Sequence, residues 1–330
     1  MLTLNKQLKE NTYSNLYLLY GDEEYLKINY RDRLTSGILA DTTKGNINYH
    51  LYRQQDATAE AIAEQALCLP FFADRQLLVV ENSNLFKAAS PLADTLADIP
   101  DSTYIIFVEN NVDKRNNLFR LLKKSGTVAE INHKKDSELL TWIAMYLKHS
   151  DCLITMRAAK LILSKCGVDM YQLSNELEKL ISYVGEKKQI DIAEVEAVCT
   201  TTLSSRIFLM MDYIVSGKQA KALDLYRELL LTKEPPGKIL SLLTKHISAL
   251  TSIKEMTREN DMDIAKKLSV PSFTVKKYRA QASVFKKNEL LACLTACVNT
   301  DFDIKTGKIQ AQTAIEMLII SLSSGIYQSR

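Results

Sequence analysis

The stretch Leu16-Tyr17-Leu18-Leu19-Tyr20-Gly21-Asp22-Glu23-Glu24-Tyr25-Leu26 decides the fold. Its apolar beginning predicts a buried strand over residues 15–20, because a strand covered on both faces is a continuous apolar run. Gly21 turns the chain, and three acids follow at the point where a helix dipole favours negative charge. The pattern therefore predicts a strand, a glycine turn and a helix over residues 22–34, the unit that is repeated in parallel α/β sheets.

Strand and helix patterns alternate through the first part of the chain and then give way to helices. Further strands are predicted at 47–53, 76–80, 103–108 and 128–131, and helices at 57–68, with Asp56 as its cap, 92–97 and 116–124. After about residue 136 the strand signals stop, and helices are predicted at 137–148, 155–166, 170–184, 191–199, 207–215, 219–231, 236–255, 261–268, 271–285, 287–303 and 310–327. Gly167 and Gly185 fall where helix C-caps belong. We expect an α/β domain, a small helical domain and a larger helical domain.

The composition is that of an ordinary globular chain. Of 330 residues, 46% are hydrophobic and 25% charged, and the net charge of +3 neither requires nor excludes a nucleic-acid partner. None of the 6 cysteines forms a C-x-x-C pair. Cys293 and Cys297 lie one helical turn apart, but no histidine is near enough in sequence to complete a zinc set. We expect free buried thiols, no metal and, without a signal peptide or an 18-residue apolar run, a cytoplasmic chain with no membrane partner.

The turn at Gly21 lies where an α/β nucleotide-binding fold would hold phosphate. A phosphate loop needs several glycines, a lysine and a Ser or Thr for Mg²⁺. This turn has one glycine, three carboxylates and no lysine, and the motif G-x-x-x-x-G-K-[ST] occurs nowhere in the chain. The turn therefore argues against nucleotide hydrolysis, and we expect no cofactor.

Other catalytic patterns are weak. Glu81 and Glu109 follow predicted strands, where acids can hold a metal, but each stands without an adjacent acid and is expected to be solvated. The 4 histidines are scattered and lack the spacing of a triad or a metal site. We expect no intrinsic catalytic site.

Residues 69–76, Leu-Pro-Phe-Phe-Ala-Asp-Arg-Gln, place two aromatic rings in a turn directly before a strand. Pro70 disfavours helix at Leu69, so the preceding helix is expected to end there. Two adjacent rings do not easily both enter one core, and an exposed aromatic is a common interface anchor. The alternative is that Phe71 and Phe72 both cap the core of their own domain.

Basic residues cluster in two regions. The first holds Lys114, Arg115, Arg120, Lys123, Lys124, Lys134 and Lys135, and the second holds Lys276, Lys277, Arg279, Lys286, Lys287, Lys305 and Lys308. Solvated helix faces explain such clusters most simply. Contact with a phosphate backbone is the alternative, since it uses distributed Lys and Arg without reading bases.

Several of these stretches together resemble one family, the delta subunit of the bacterial DNA polymerase III clamp loader. The resemblance spans nearly the whole chain and is carried, in order, by residues 16–26, 69–76, 173–180 (LSNELEKL), 303–307 (DIKTG) and 316–318 (EML). It implies an AAA+-like domain with a degenerate phosphate loop over 1–140, a helical lid domain over 141–204 and an all-α collar over 205–330. The collar is expected to assemble with the delta-prime and gamma/tau subunits, with ATP hydrolysis in those partners. Neither the Ser-Arg-Cys tripeptide nor the clustered-cysteine zinc module of related subunits is present.

The resemblance also gives residues 69–76 a role, the clamp-binding element. It implies that Phe71 and Phe72 plug a pocket on the beta sliding clamp, that Leu69 supports them and that Arg75 is a weaker candidate for a contact at the rim. Binding is expected to favour the open clamp, which is then loaded onto primer-template DNA. Many relatives carry an aliphatic residue where this chain has Phe71, which changes the fit but keeps the position apolar.

Two alternatives of other classes remain open at the level of the sequence. One is an active AAA+ ATPase with an unusual phosphate loop, which tight nucleotide binding by the isolated chain would reveal. The other is a stand-alone nucleic-acid-binding adaptor that uses the basic clusters.

Overall fold

The structure is a computed structural model that describes residues 2–39, 45–257, 259–268, 270 and 272–324. The chain forms two compact units, Met1–Lys134 and Lys135–Arg330. The predicted division into three domains at about residues 140 and 204 stays a prediction.

The first unit is a parallel sheet with helices, which confirms the predicted α/β class. Its strands are β1 (Leu16–Tyr20), β2 (Tyr49–Arg53), β3 (Gln76–Glu81), β4 (Thr103–Glu109) and β5 (Thr127–Glu130). Its helices are α1 (Leu2–Glu10), α2 (Glu24–Ile38), α3 (Ala59–Leu67), α4 (Leu92–Thr95) and α5 (Asn117–Ser125), with 3₁₀ turns at Gln54–Asp56 and Leu96–Asp98. The strand order is β2-β3-β4-β1-β5, and every neighbouring pair is parallel.

Strand β1 is buried along its whole length because it lies inside the sheet. Leu18 pairs with Phe107 on β4 and with Val128 on β5. Since all five strands run the same way, their carboxyl ends share one edge. Gly21 and the residues that follow Glu81 and Glu109 lie along this edge.

Local details of this unit differ from the sequence-based expectations. Helix α3 is capped by Thr58, whose hydroxyl accepts a hydrogen bond from the Ala61 N–H at 3.2 Å, and not by Asp56. The helix after Gly21 begins at Glu24 and so leaves Asp22 and Glu23 in the turn. Helix α1 was not predicted.

The second unit is almost entirely helical. Its helices are α6 (Asp136–Lys148), α7 (Met156–Cys166), α8 (Met170–Val184), α9 (Ile192–Val198), α10 (Leu203–Val215), α11 (Gln219–Leu231), α12 (Pro236–Glu255), α13 (Asp261–Leu268), α14 (Ser272–Ser283), α15 (Lys287–Lys305) and α16 (Ala311–Ser323). Strands β6 (Leu153–Ile154) and β7 (Gln189–Ile190) form a short parallel pair. The expectation that no strand follows residue 136 is therefore wrong, because two-residue strands are too short to show a periodicity.

Helices α7 and α8 end at Gly167 (φ 81°) and Gly185 (φ 48°), which confirms both predicted C-caps. Two predicted helices extend beyond the described residues. The predicted start of one, Pro271, and the predicted end of the other, Tyr327, lie outside them. Residues 325–330 of the predicted collar also lie outside them. Across the described ranges, no helix combines the length and apolarity needed to span a bilayer.

Candidate functional site

The loop of residues 68–75, which we call the docking loop, joins α3 to β3. Helix α3 ends at Leu67, and Cys68 follows in an extended conformation with φ −65° and ψ 146°. Cys68 is exposed, contrary to the expectation of buried thiols, because it lies in the loop and not in the core. The helix ends one residue before the end of the predicted range 57–68, which agrees with the restriction that Pro70 places on Leu69. The loop is thus confined between a helix end and the first residue of a buried strand.

The docking loop presents its large apolar side chains to solvent. The exposed fractions are 76% for Leu69, 58% for Phe71 and 92% for Phe72. The two rings pack edge to face, with centroids 4.6 Å apart. Neither ring caps the core of its own unit, which removes that alternative, while the predicted clamp contact of the three side chains stays a prediction.

Phe72 adopts a left-handed backbone conformation with φ 48°. A bulky residue rarely does so, since the conformation costs about 1–2 kcal/mol for an L-residue with a Cβ atom. Such outliers persist where the surrounding structure determines the backbone, and they cluster at ligand-binding segments.

Asn48, just before β2, makes two of the contacts that fix this backbone. Its side-chain Oδ1 accepts a hydrogen bond from the Phe71 N–H at 2.7 Å, and its Nδ2 donates to the Phe71 carbonyl at 2.9 Å. The Asn48 side chain therefore pairs with Phe71 as a neighbouring strand would. Asn48 is buried, and its own carbonyl accepts from the Leu77 N–H at 2.8 Å, so the loop is tied to the sheet. Sequence reasoning missed Asn48, because an asparagine before a strand carries no sign of a contact 23 residues away.

The other end of the loop is held by Gln76. Its buried amide donates to the carbonyl of Cys68 and, at 2.9 Å, to the hydroxyl of Thr103, and it accepts from Gln65 Nε2 at 3.1 Å. These bonds join the end of α3 to β3 and β4. The docking loop is thus fixed at both ends, while its rings stay free of the core.

Arg75 lies against its own unit. Its guanidinium stands over the Tyr104 ring, 5.4 Å from the centroid, in cation–π geometry. Its Nη1 also lies 3.5 Å from the Ile38 carbonyl oxygen. Arg75 is half-buried, and its role at the rim of a partner contact stays a prediction.

The turn after β1 is filled by acidic side chains of the chain itself. Gly21 has φ 125°, and a Cβ atom there would lie 2.4 Å from the Ile131 carbonyl oxygen, so only glycine fits. Glu23 is buried, and its Oε2 lies 2.8 Å from His133 Nδ1. Asp22 accepts a hydrogen bond from the His133 N–H at 2.9 Å. The turn that would serve as a phosphate loop therefore carries carboxylates, and both of them contact His133.

Lys27 is a second feature that sequence reasoning missed. It stands six residues after Gly21, the spacing between the first glycine and the lysine of a phosphate loop, and this spacing was the available signal. Its side chain is buried, and Nζ donates to the Glu109 carbonyl at 3.1 Å and to Asn110 Oδ1 at 2.5 Å. Burial lowers the pKa of Lys27. Lys27 is thus engaged in hydrogen bonds with residues at the carboxyl end of β4.

The strand-end acids are not solvated, contrary to expectation. Glu109 is buried and accepts hydrogen bonds from the Ser83 N–H at 2.9 Å and the Ser83 hydroxyl at 2.5 Å, and burial raises its pKa. Burial would also raise the pKa of Glu81, but ion pairs with Arg53, at 2.6 Å, and with Arg31 outweigh it and lower that pKa. Both carboxylates are thus engaged in contacts with other residues of the chain.

Many residues of the basic clusters are in ion pairs. The pairs are Lys114–Glu130, Arg115–Asp113, Arg279–Asp261, Lys287–Glu255, Lys305–Asp301 and Lys308–Asp303. Such paired charges fit a solvated surface better than a continuous phosphate-binding face.

Comparison with known proteins identifies the family. The family model for the DNA polymerase III delta subunit matches residues 17–132, and the model for the C-terminal domain of the same subunit matches residues 204–322. The DNA polymerase III subunit delta of Bacillus subtilis (strain 168) is 25% identical over 332 residues, which cover 96% of this chain and 95% of that protein. The solved structure of the Bacillus subtilis DNA clamp loader delta protein has a TM-score of 0.79 at 22% identity, covering 98% of this chain and 99% of that one, so the fold is shared. The two matched ranges hold the first two and the last two of the stretches that carry the resemblance, in the same order, while residues 173–180 lie between them. The chain belongs to the DNA polymerase III delta subunit family.

Proposed function

We propose that this chain acts in a clamp loader by docking on the beta sliding clamp through the docking loop and favouring the open form of the clamp. Phe71 and Phe72 are the anchors, and Leu69 extends the same apolar surface. The observation that carries the proposal is a pair of exposed rings on a loop that hydrogen bonds of Asn48 and Gln76 tie to the sheet. A preorganised apolar element binds with little loss of conformational entropy.

The energetics support a specific contact. Burying one such ring contributes roughly 1.5–3 kcal/mol. Two rings therefore change an affinity by about 100-fold or more, since 1.4 kcal/mol corresponds to a factor of ten. Opening of the clamp requires a higher affinity for the open form than for the closed form.

We further propose that the partners of this chain are the gamma/tau and delta-prime subunits, reached through the collar, and primer-template DNA within the complex. ATP hydrolysis belongs to those partner subunits. The buried carboxylate of Glu23 would repel a triphosphate, and Lys27 is engaged by Glu109 and Asn110. An active AAA+ ATPase is therefore the weaker alternative, and tight ATP binding by the isolated chain would support it.

Surface plasmon resonance with the cognate clamp tests the docking proposal. The variant Phe71→Ala plus Phe72→Ala is expected to lose affinity by about 100-fold or more, because both anchors are removed. Phe302→Ala is the matched control, since Phe302 on α15 is 57% exposed, close to the 58% of Phe71. It is expected to bind the clamp as the wild type does.

Two outcomes would count against the proposal. Unchanged capture of the clamp by the double variant would show that the rings are not the anchors. An equal loss in Phe302→Ala would show that the effect is not specific to the docking loop.

A further inference from the structure

Three buried side chains with metal-binding chemistry converge in the second unit, far in sequence from the docking loop. Cys166 is the last residue of α7, Glu176 lies within α8, and Cys199 follows the end of α9. Their two sulfur atoms and a carboxylate oxygen all lie within 4.8 Å of one another. The exposed fractions are 1% for Cys166, 6% for Glu176 and 4% for Cys199.

The elements that carry these residues create an environment suited to a cation. Cys166 and Cys199 lie at the C-terminal ends of two helices, where the helix dipoles place partial negative charge. Glu176 adds a carboxylate in the same buried space. Helix ends alone make no site, but here they coincide with three converging ligand atoms.

The carboxylate of Glu176 is already oriented. Its Oε2 accepts a hydrogen bond from the Thr200 N–H at 3.2 Å and lies 2.7 Å from Lys179 Nζ. Carboxylates that bind metals are commonly held in this way by outer hydrogen bonds. The Lys179 ammonium also offsets part of the negative charge that two thiolates would add.

We propose that Cys166, Cys199 and Glu176 form a site for a soft divalent cation of the zinc class. Thiolate sulfur is the ligand that Zn²⁺ prefers, and a carboxylate oxygen completes a set of three. Two S–H bonds break as two metal–sulfur bonds form, and the two protons pass to solvent. No electron is transferred. The fourth tetrahedral position is left for water.

The site would join three helices of the predicted lid domain. Its ligands come from α7, α8 and the end of α9, so a bound cation would link the ends of segments that are separate in sequence. Metal binding to a preformed set of ligands adds to folding stability, because the unfolded chain lacks that set.

A second pair of buried cysteines provides the matched control. Cys293 and Cys297 both lie on α15 and are 2% and 1% exposed. Within the described parts of the chain, no comparable set of three donors includes them. They therefore report what two buried thiols alone do in the presence of a metal.

The test is a titration of the reduced, full-length chain with Co²⁺, whose thiolate complexes absorb in the near ultraviolet. The wild type is expected to bind one Co²⁺ with a sulfur-to-metal charge-transfer band that Zn²⁺ displaces. Cys166→Ser and Cys199→Ser are each expected to lose the band, and Glu176→Gln to bind more weakly, because an amide replaces the carboxylate ligand. Cys293→Ser is expected to behave as the wild type does. Circular dichroism checks that each variant is folded.

The result for the wild type decides the proposal even if a serine variant fails to fold. Absence of a charge-transfer band in the wild type overturns it, as does an equal loss in Cys293→Ser. If mass spectrometry of the reduced preparation shows that Cys166 and Cys199 are joined as a disulfide and bind no metal, the proposal is also overturned.

Discussion

At the residue scale, the conformation of the docking loop depends on Asn48. Its carboxamide satisfies both the N–H and the carbonyl of Phe71, next to Phe72 in its left-handed conformation. The aromatic residues supply the apolar area, and Asn48 determines where that area is presented. From Pro70 and the strand that follows, both local signals, the sequence predicted that the helix ends before the rings. It left their exposure open and did not reveal the residue that holds the loop.

We expect Asn48→Ala to weaken binding to the clamp by about tenfold, because the freed loop must be ordered on binding and two hydrogen bonds of roughly 1 kcal/mol are lost. Asn48→Asp is expected to weaken it as well, since it removes the Nδ2 donor and places a carboxylate oxygen near the Phe71 carbonyl. Surface plasmon resonance measures the affinity, and chemical denaturation measures any accompanying loss of stability.

A double-mutant cycle separates the two effects. In the background of Phe71→Ala plus Phe72→Ala, the substitution Asn48→Ala is expected to have little further effect on binding. An effect of the same size in both backgrounds would contradict the role of Asn48 in positioning the loop.

At the element scale, three helices of the second unit meet at a buried histidine. His246 on α12 stacks on Tyr278 of α14, with ring centroids 4.6 Å apart, and its Nε2 lies 2.7 Å from Gln281 Oε1. Gln281 donates in turn to Asp212 Oδ1 on α10 at 2.6 Å. Burial lowers the pKa of His246 from 6.5 to about 4.

We expect this histidine to make stability depend on pH. Above pH 6.5 the imidazole is neutral in both the folded and the unfolded chain, and the contribution of His246 to the free energy of unfolding is fully present. This contribution is lost as the pH falls from 6.5 towards 4, because the unfolded chain takes up a proton that the folded chain excludes. The loss amounts to about 3 kcal/mol over this window. His246→Gln, which keeps a donor but does not titrate, is expected to flatten the dependence.

Differential scanning calorimetry between pH 7 and 4.5 measures this dependence as the slope of the melting temperature against pH. His149→Gln is the control, since His149 is exposed at the end of α6. A slope for His246→Gln equal to that of the wild type would contradict the prediction.

Among the features of the elements, the first and last residues of several helices were predicted best. The bounds Met170–Val184, Gln219–Leu231 and Pro236–Glu255 agree with the structure residue for residue, because apolar periodicity and end signals act within a few residues. Helix α1 and the pair β6 and β7 were missed. The two strands are only two residues long, and their pairing with each other, not their sequence, makes them strands.

At the scale of the whole molecule, part of the basic charge lies in local ion pairs. The net charge is only +3, and basic residues such as Lys114, Arg279 and Lys305 are paired with acids near them. Binding to nucleic acid releases counterions in proportion to the phosphates that are neutralised. Basic residues that are already paired with acids gain little from that release.

We therefore expect the isolated chain to bind primer-template DNA weakly, with a dissociation constant of about 1 μM or higher at physiological salt, a range typical of non-specific binding. Fluorescence anisotropy over a series of salt concentrations measures the affinity and its salt dependence. The variant Phe71→Ala plus Phe72→Ala is expected to bind DNA as the wild type does. Nanomolar DNA binding that the double variant retains would instead favour the stand-alone adaptor.

The sequence left open whether Phe71 and Phe72 are buried or exposed, but by itself it determined the order of most elements and the parallel α/β class of the first unit. These follow from apolar periodicity, glycine and proline, whose effects extend over a few residues. Only the tertiary structure decided that the Asn48 side chain bonds to the backbone of Phe71, 23 residues away, and that Lys27 donates to Asn110, 83 residues away. It also decided the convergence of Cys166, Glu176 and Cys199. Such contacts depend on how separate elements pack, and a polar side chain shows no sign in sequence of the distant partner that burial will require it to find.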